Sequence, residues 1–322
     1  MEPSLLLTIS TAIAQPPPIV NGASTGEWPA VGALLVCGDS CSVLCTGTLI
    51  TPQHVLTAAH CADSAQRSNT IEFVLGEDIT APQSRTVVKN WQVHPDAGVR
   101  SSGDADVPVF DVALAILDTP LTTGATLPLS GHTVNSTWVD EEITYVGYGS
   151  IGDTQGESGI KREASVPIST FDNYNLYALD REDGQNICNG DSGAPALRTI
   201  NGDVVVVGVA SFVYPSADST HCIGGGSGAA RVDVALDFLT SVATDATVHT
   251  PLEDTAVDTD MPVDTGDTLD SGHAPVSDCA SGCAVAGGGG LGWLLGLWGL
   301  LRRADRGSVP PGPCSQPTHP AG

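Results

Sequence analysis

Basic residues are scarce in this chain: 12 Lys and Arg face 37 Asp and Glu over 322 residues, a formal net charge of −25. That balance excludes nucleic acid as a partner, and it excludes an anionic membrane surface held through basic residues. The acidity reads instead as solubility plus an acidic linker. Aromatic residues are also few, with five each of Phe, Tyr and Trp. The sequence has no CxxC pair and no His-rich tract, so neither a metal site nor a cofactor is expected.

Cysteine is well represented. Nine cysteines follow an apolar opening, which points to an oxidising compartment. Residues Met1 to Ala14 contain Leu5-Leu6-Leu7-Thr8-Ile9 and end in Ala12-Ile13-Ala14, the short apolar core and small-x-small site of a secretory signal peptide (1–14). No Lys or Arg stands near its start, a departure from that pattern. Gln15-Pro16-Pro17-Pro18 then breaks the run and leaves a short propeptide, 15–18.

Between Ile19 and about residue 240 the chain alternates short β segments with Gly, Pro, Asp and Ser. The segments include Val31–Val36, Val43–Ile50, Ile71–Leu75, Val112–Leu117, Ile143–Tyr148 and Val204–Ala210. Such spacing predicts an all-β sandwich or barrel without choosing between them. Val232, Ala235, Leu236 and Leu239 recur at i, i+3, i+4 and i+7, which predicts a short amphipathic helix.

Three segments carry chemistry. Asn189-Gly190-Asp191-Ser192-Gly193-Ala194-Pro195 sets a serine in a glycine-flanked turn. A serine hydroxyl is a weak nucleophile and needs a base, a group that orients the base, and donors for the oxyanion it creates. Thr57-Ala58-Ala59-His60-Cys61 offers the base, and Asp111 before the apolar Val112–Leu117 offers the orienter. Asp104 and Asp106 are nearby, but neither precedes such a strand.

With Ile19-Val20-Asn21-Gly22, Cys45-Thr46-Gly47-Thr48-Leu49-Ile50, Gly147-Tyr148-Gly149 and Ser211-Phe212-Val213, these segments resemble the chymotrypsin/trypsin family of serine endopeptidases over roughly residues 19–240. The resemblance implies two antiparallel six-stranded β-barrels with a cleft between them and a closing helix, here 19–243. It implies a catalytic triad of His60, Asp111 and Ser192, and an oxyanion hole from the N–H groups of Gly190 and Ser192. It implies an ion pair between Asp191 and the α-amino group of Ile19, so activity would follow cleavage after Pro18. Pro18 is not basic, which argues against self-activation by a trypsin-like specificity. Disulfides Cys45–Cys61 and Cys188–Cys222 are likewise implied, while the pairing of Cys37, Cys41, Cys279, Cys283 and Cys314 stays open.

For the substrate pocket the resemblance places Asn186 at the floor, where trypsin-like members carry aspartate. Ser211, Phe212 and Val213 line the cleft, and Val213 narrows the entrance. The opposite wall falls within Gly224–Gly228, where the glycine run leaves the alignment open. Small or medium uncharged side chains are expected before the cut. The implied partners are protein or peptide substrates and protease inhibitors. The alternative from another class is a catalytically inactive protease-fold binding or adhesion protein. Such homologues usually lose a triad member, and all three residues stand here.

Residues 244–278 are rich in Asp, Thr, Pro and Ser and lack Lys and Arg, which predicts an acidic disordered linker. Cys279-Ala280-Ser281-Gly282-Cys283, an apolar run from Ala284 to Leu301 and Arg302-Arg303 make up 279–303, followed by a Pro-rich disordered tail, 304–322. As a helix that run would span about 27 Å, just short of a hydrocarbon core of ~30 Å. The layout resembles a MYXO-CTERM sorting signal. It implies export, membrane contact through this segment before processing, and attachment at a bacterial cell surface. The tail beyond the arginines departs from that pattern, and a plain single-pass anchor is the alternative.

Overall fold

The computed structural model describes residues 19–251, apart from 67–69, 103–104, 123–124, 153–156, 181 and 217–220. The expected signal peptide, propeptide, Cys279–Cys283 segment, apolar run and tail all lie outside the described residues, as does Asp104.

The first half holds β1 (Ala23–Ser24), β2 (Val31–Cys37), β3 (Cys41–Leu49), β4 (His54–Thr57) and helix α1 (Ala59–Ala65). It continues with β5 (Thr70–Leu75), β6 (Ser84–Val93), β7 (Gly98–Ser102), β8 (Ala105–Val109) and β9 (Ala113–Leu117). Strands β2-β3-β4-β9-β6-β5 close into a six-stranded antiparallel barrel. Its interior is filled by Leu34, Leu49, Val55, Phe73 and Leu114, which alternate inward along short strands. Strands β7 and β8 form a separate hairpin.

The second half holds β10 (Leu129–Ser130), β11 (Glu142–Gly147), β12 (Arg162–Phe171), β13 (Asn175–Ala178) and β14 (Pro195–Ile200). After it come β15 (Asp203–Tyr214), β16 (Gly226–Arg231), helix α2 (Val232–Val242) and β17 (Val248–His249). The order β14-β11-β12-β13-β16-β15 closes through β14–β15 pairing, so this too is a six-stranded barrel. Ile143, Tyr145, Ile168, Leu176 and Val207 fill it. Closure of both sheets decides for barrels over a sandwich, a choice that period-2 alternation leaves open because both bury one face of each strand.

Helix α2 buries Val232, Ala235 and Leu239, three of the four residues of the expected stripe. The chain beyond it does not become linker at 244. Leu129 and Ser130 of β10 pair with Val248 and His249 of β17, and the Leu129 N–H donates to Thr247 O at 2.9 Å, so the domain extends past residue 243. Among the described residues no helix is long and apolar enough to cross a membrane.

Among the described residues three disulfides are formed: Cys37–Cys41, Cys45–Cys61 and Cys188–Cys222. The first joins directly paired residues at the β2–β3 turn, and its register is what closes a pairing that spacing left open. The barrels are stitched together at Thr46 of β3. Its N–H donates to Ser192 O at 2.8 Å, its hydroxyl donates to Gly190 O at 2.9 Å, and it accepts from the Tyr148 N–H at 3.2 Å. The buried Tyr148 hydroxyl reaches back to Val31 O at 3.1 Å and Gly76 O at 2.5 Å. Each crossing satisfies buried backbone groups that would otherwise lose water without replacement.

Candidate active site

His60 sits in the first turn of α1, which begins where β4 ends against the wall of the first barrel. Its Nδ1 lies 2.7 Å from Asp111 Oδ2, and its backbone N–H donates to Asp111 Oδ1 at 2.9 Å. The Ser211 hydroxyl donates to Asp111 Oδ2 at 2.5 Å. A β-bulge brings Ser211 there. Ala210 and Phe212 of β15 pair with the consecutive Ala229 and Gly228 of β16, so Ser211 is the extra residue between them. Bulges re-aim side chains in this way beside functional sites. The resemblance places Ser211 only in the substrate cleft; its hydroxyl bond to the carboxylate comes from the tertiary fold.

The charges on this pair support one another. Burial alone would push His60 down, but the hydrogen bond and charge of Asp111, with a smaller pull from Asp63, hold its pKa above 6.5. Burial alone would push Asp111 up, yet the His60 bond and charge, the Ser211 hydroxyl and the His60 N–H hold it below the ordinary carboxylate range. The His60 side chain is 43% exposed while the Asp111 side chain is almost covered, so the ring presents its other nitrogen outward. Asp106 lies on β8, where it accepts from the Ser101 hydroxyl at 2.9 Å, away from this pair.

Ser192 and His60 line one cleft of about 500 Å³ together with Cys45, Asn189 and Gly190. The serine turn is held by Asp191 N–H to Cys188 O at 3.0 Å, Ala194 N–H to Asp191 O at 2.8 Å and Gly193 N–H to Ala210 O at 2.7 Å. Gly193 has φ +82°, and a Cβ there would lie 2.0 Å from Thr57 Oγ1 and 2.3 Å from Thr46 O, so only glycine fits. Among the described residues no group accepts from the Gly190 or Ser192 N–H. Two unbonded donors beside a half-buried hydroxyl can receive a developing negative charge.

Asp191 is fully buried. Its carboxylate accepts from Gly149 N–H at 2.8 Å and from Cys188 N–H at 2.9 Å. The two glycines of Gly147-Tyr148-Gly149 are explained by it: a Cβ at either would lie within 2.5 Å of the carboxylate. Burial pushes Asp191 up to about 6, against the pull of its two backbone donors and of Arg162. Ile19 is also fully buried, with φ +44°, and Val20 forms a bridge with Asn186.

Asn186 is 1% exposed, and its polar atoms face inward. Its amide donates to Cys222 O at 3.1 Å and to His221 O at 3.4 Å, and its Oδ1 accepts from Ile187 N–H at 3.0 Å. Val213 packs against Val20, Cys188 and Cys222. The residue facing Val213 is now fixed. Val213 of β15 pairs directly with Ser227 of β16, which is buried with its hydroxyl 3.4 Å from the Tyr145 hydroxyl. The glycine run hid Ser227 from sequence reasoning, since one-residue shifts of a Gly-rich strand look alike. Phe212 turns the other way, with its ring against Gly228 and 5.9 Å from the Tyr177 ring.

The β7–β8 hairpin was not foreseen in the sequence. It spans to the second barrel through an Arg100–Asp172 ion pair and through Asn175 Nδ2 donating to Pro108 O at 2.9 Å. Val99 and Pro108 thereby wall a cavity of about 530 Å³ that also touches His60, Asp111 and Ser211.

The family model described as Trypsin matches residues 19–239. The chain is 29% identical over 250 residues to a venom serine protease of Polistes dominula, covering 70% of this chain and 84% of that protein. It is 31% identical over 206 residues to brachyurin of Leptuca pugilator, covering 60% and 86% respectively. To a trypsin of Saccharopolyspora erythraea it is 29% identical over 166 residues, covering 48% and 70%.

Proposed function

The chain belongs to the trypsin family and is a serine endopeptidase, and we propose that it cuts protein substrates with His60, Asp111 and Ser192, after small or medium uncharged residues. The observation that carries the catalytic reading is the His60–Asp111 contact of 2.7 Å in a cleft shared with Ser192. In the attack, Ser192 Oγ bonds to the scissile carbonyl carbon while His60 Nε2 takes the hydroxyl proton. The carbonyl oxygen becomes an oxyanion and accepts from the Gly190 and Ser192 N–H groups, each such donor being worth ~10²–10³ in rate. Asp111 holds the tautomer with its proton on Nδ1 and stabilises the imidazolium. His60 then returns the proton to the leaving amine as the C–N bond breaks, leaving an acyl-enzyme. Water attacks that ester with His60 again as base, and Ser192 is regenerated.

The specificity reading rests on Asn186, Val213 and Ser227. An arginine or lysine side chain would meet no counter-charge at Asn186, and burying an unpaired cation costs several kcal/mol. Val213 and Ser227 are direct partners across the strand pair, and the branched Val213 side chain favours a small residue there. Asp191 takes the α-amino group of Ile19 once residues 1–18 are removed. The buried Ile19 and the Val20–Asn186 bridge support that placement.

Export is proposed with the 1–14 signal peptide, and the three disulfides suit an oxidising compartment. The 279–303 segment is proposed as a MYXO-CTERM-type signal for surface attachment. The test of the catalytic reading is covalent labelling by a fluorophosphonate probe. Labelling of the wild type that is lost in Ser192→Ala supports the assignment. An unlabelled, correctly processed wild type would favour the inactive binding protein.

A further inference from the structure

Asp191 poses an electrostatic problem before the chain is cut. It is 0% exposed, and among the described residues its carboxylate accepts from two backbone N–H groups, Gly149 and Cys188. A buried carboxylate without a cation costs several kcal/mol or takes up a proton. The Ile19 amine exists only after cleavage, and Pro18 offers no basic residue for a trypsin-like activator. Ile19 is buried, its O accepts from Gly22 N–H at 2.6 Å, and Asn186 N–H donates to Val20 O at 3.2 Å.

A buried cation lies on the same face of the sheet as this carboxylate. Arg162 opens β12 and is 2% exposed. It pairs directly with Gly147 of β11, and on its other side with Ser24 of β1. Residues directly opposite in an antiparallel pair project to the same face of the sheet. The face above Gly147 is occupied by Asp191, whose Oδ1 would lie 2.1 Å from a Cβ placed there. The Arg162 side chain therefore leaves the sheet on the side where Asp191 lies. Its Nη1 donates to Ile160 O at 3.1 Å, and its Nε is buried with no partner among the described residues. A buried guanidinium with an unbonded N–H thus lies on the same side of the sheet as a carboxylate that needs a cation.

We infer that Arg162 is a positioning residue for the oxyanion turn: it supplies the counter-charge for Asp191 while residues 1–18 are still attached, so the uncut chain retains basal peptidase activity. The inference rests on the proposed role of Asp191 in shaping the Gly190–Ser192 turn, and adds a second cation to it. The two charges act on one another, since Arg162 draws Asp191 down against burial and Asp191 and Glu157 draw Arg162 up against burial. After cleavage the Ile19 amine takes over and Arg162 becomes largely redundant.

The test uses the full chain carrying a cleavable sequence that ends at residue 18, assayed on a chromogenic peptide before and after cutting. Wild type should turn over substrate in both forms. Arg162→Gln should lower kcat/KM of the uncut form by at least ~tenfold, the weight of one pKa unit of coupling. The same variant, once cut, should stay within about threefold of wild type, a shift well under that unit. Arg162→Lys, which keeps the charge, should restore most of the uncut activity. A silent uncut wild type, an unchanged uncut-to-cut ratio in Arg162→Gln, or equal losses in both forms would each overturn the inference. If the cut wild type were itself inactive and unlabelled by a fluorophosphonate, the catalytic reading would fall first and this inference with it.

Discussion

Replacing Asp111 by asparagine tests the catalytic geometry most sharply, because the carboxylate makes three contacts that an amide cannot reproduce. Oδ1 accepts from the His60 N–H, and Oδ2 accepts from His60 Nδ1 and from the Ser211 hydroxyl. An Asn has one accepting oxygen and one donating NH₂. If the NH₂ replaces Oδ1, it meets the His60 backbone N–H donor to donor. If it replaces Oδ2, the Ser211 hydroxyl can rotate to accept, but His60 Nδ1 must accept as well. The second arrangement costs less and puts the ring proton on Nε2, the nitrogen that should receive the Ser192 proton. The expected loss is about 10⁴-fold in kcat, roughly 5.5 kcal/mol of transition-state stabilisation. The pH profile gives an independent reading. A general base works only when neutral, so the rate falls as pH falls through the His60 pKa, which Asp111 holds above 6.5. In Asp111→Asn, burial dominates and only the smaller pull of Asp63 remains, so the acid limb should move to lower pH. Asp111 itself, held below 3.8 in the fold, contributes stability above that pH that is lost as pH falls through its folded value. Stopped assays of kcat and kcat/KM between about pH 5 and 9 on a small-residue peptide would measure the rate loss and the shift of the acid limb. A loss under tenfold, or an acid limb that stays in place, would refute the reasoning.

Ser192→Ala and His60→Ala should each abolish peptide hydrolysis while the thermal unfolding midpoint stays near wild type; turnover equal to wild type in either would sink the triad. Peptides with Ala or Val before the cut should give higher kcat/KM than those with Arg, Lys or Trp, and a peptide-library profile led by Arg would overturn the pocket assignment. Val213→Gly should raise activity on larger apolar side chains with little gain for Arg, because Asn186 still offers no charge. Protein beginning at Ile19 should exceed the uncut chain by at least ~tenfold in kcat/KM, one pKa unit's worth of added pairing at Asp191; equal rates would remove the ion pair from the mechanism.

The local signals were strong enough to be read without coordinates. Apolar runs bounded by turn residues located β2, β3, β5, β9, β11 and the core of β15, because strand and turn preferences act over a few residues. The spacing of Val232, Ala235 and Leu239 located α2 for the same reason. His60, Asp111 and Ser192 stood out through their neighbours, yet their meeting is a property of two closed barrels and not of any segment. Closure placed Thr46 against the serine turn and set Gly147 and Gly149 beneath Asp191. Strand register and one bulge decided the rest. Pairing with Val213 singled out Ser227 from a glycine-rich stretch, and the extra residue in β15 turned Ser211 onto Asp111. Arg162 likewise looked like any strand residue until its pairing with Gly147 set it on the Asp191 side of the sheet. A sequence fixes what each residue can do chemically, but long-range pairing decides which partners it meets, because those contacts join positions tens to more than a hundred residues apart.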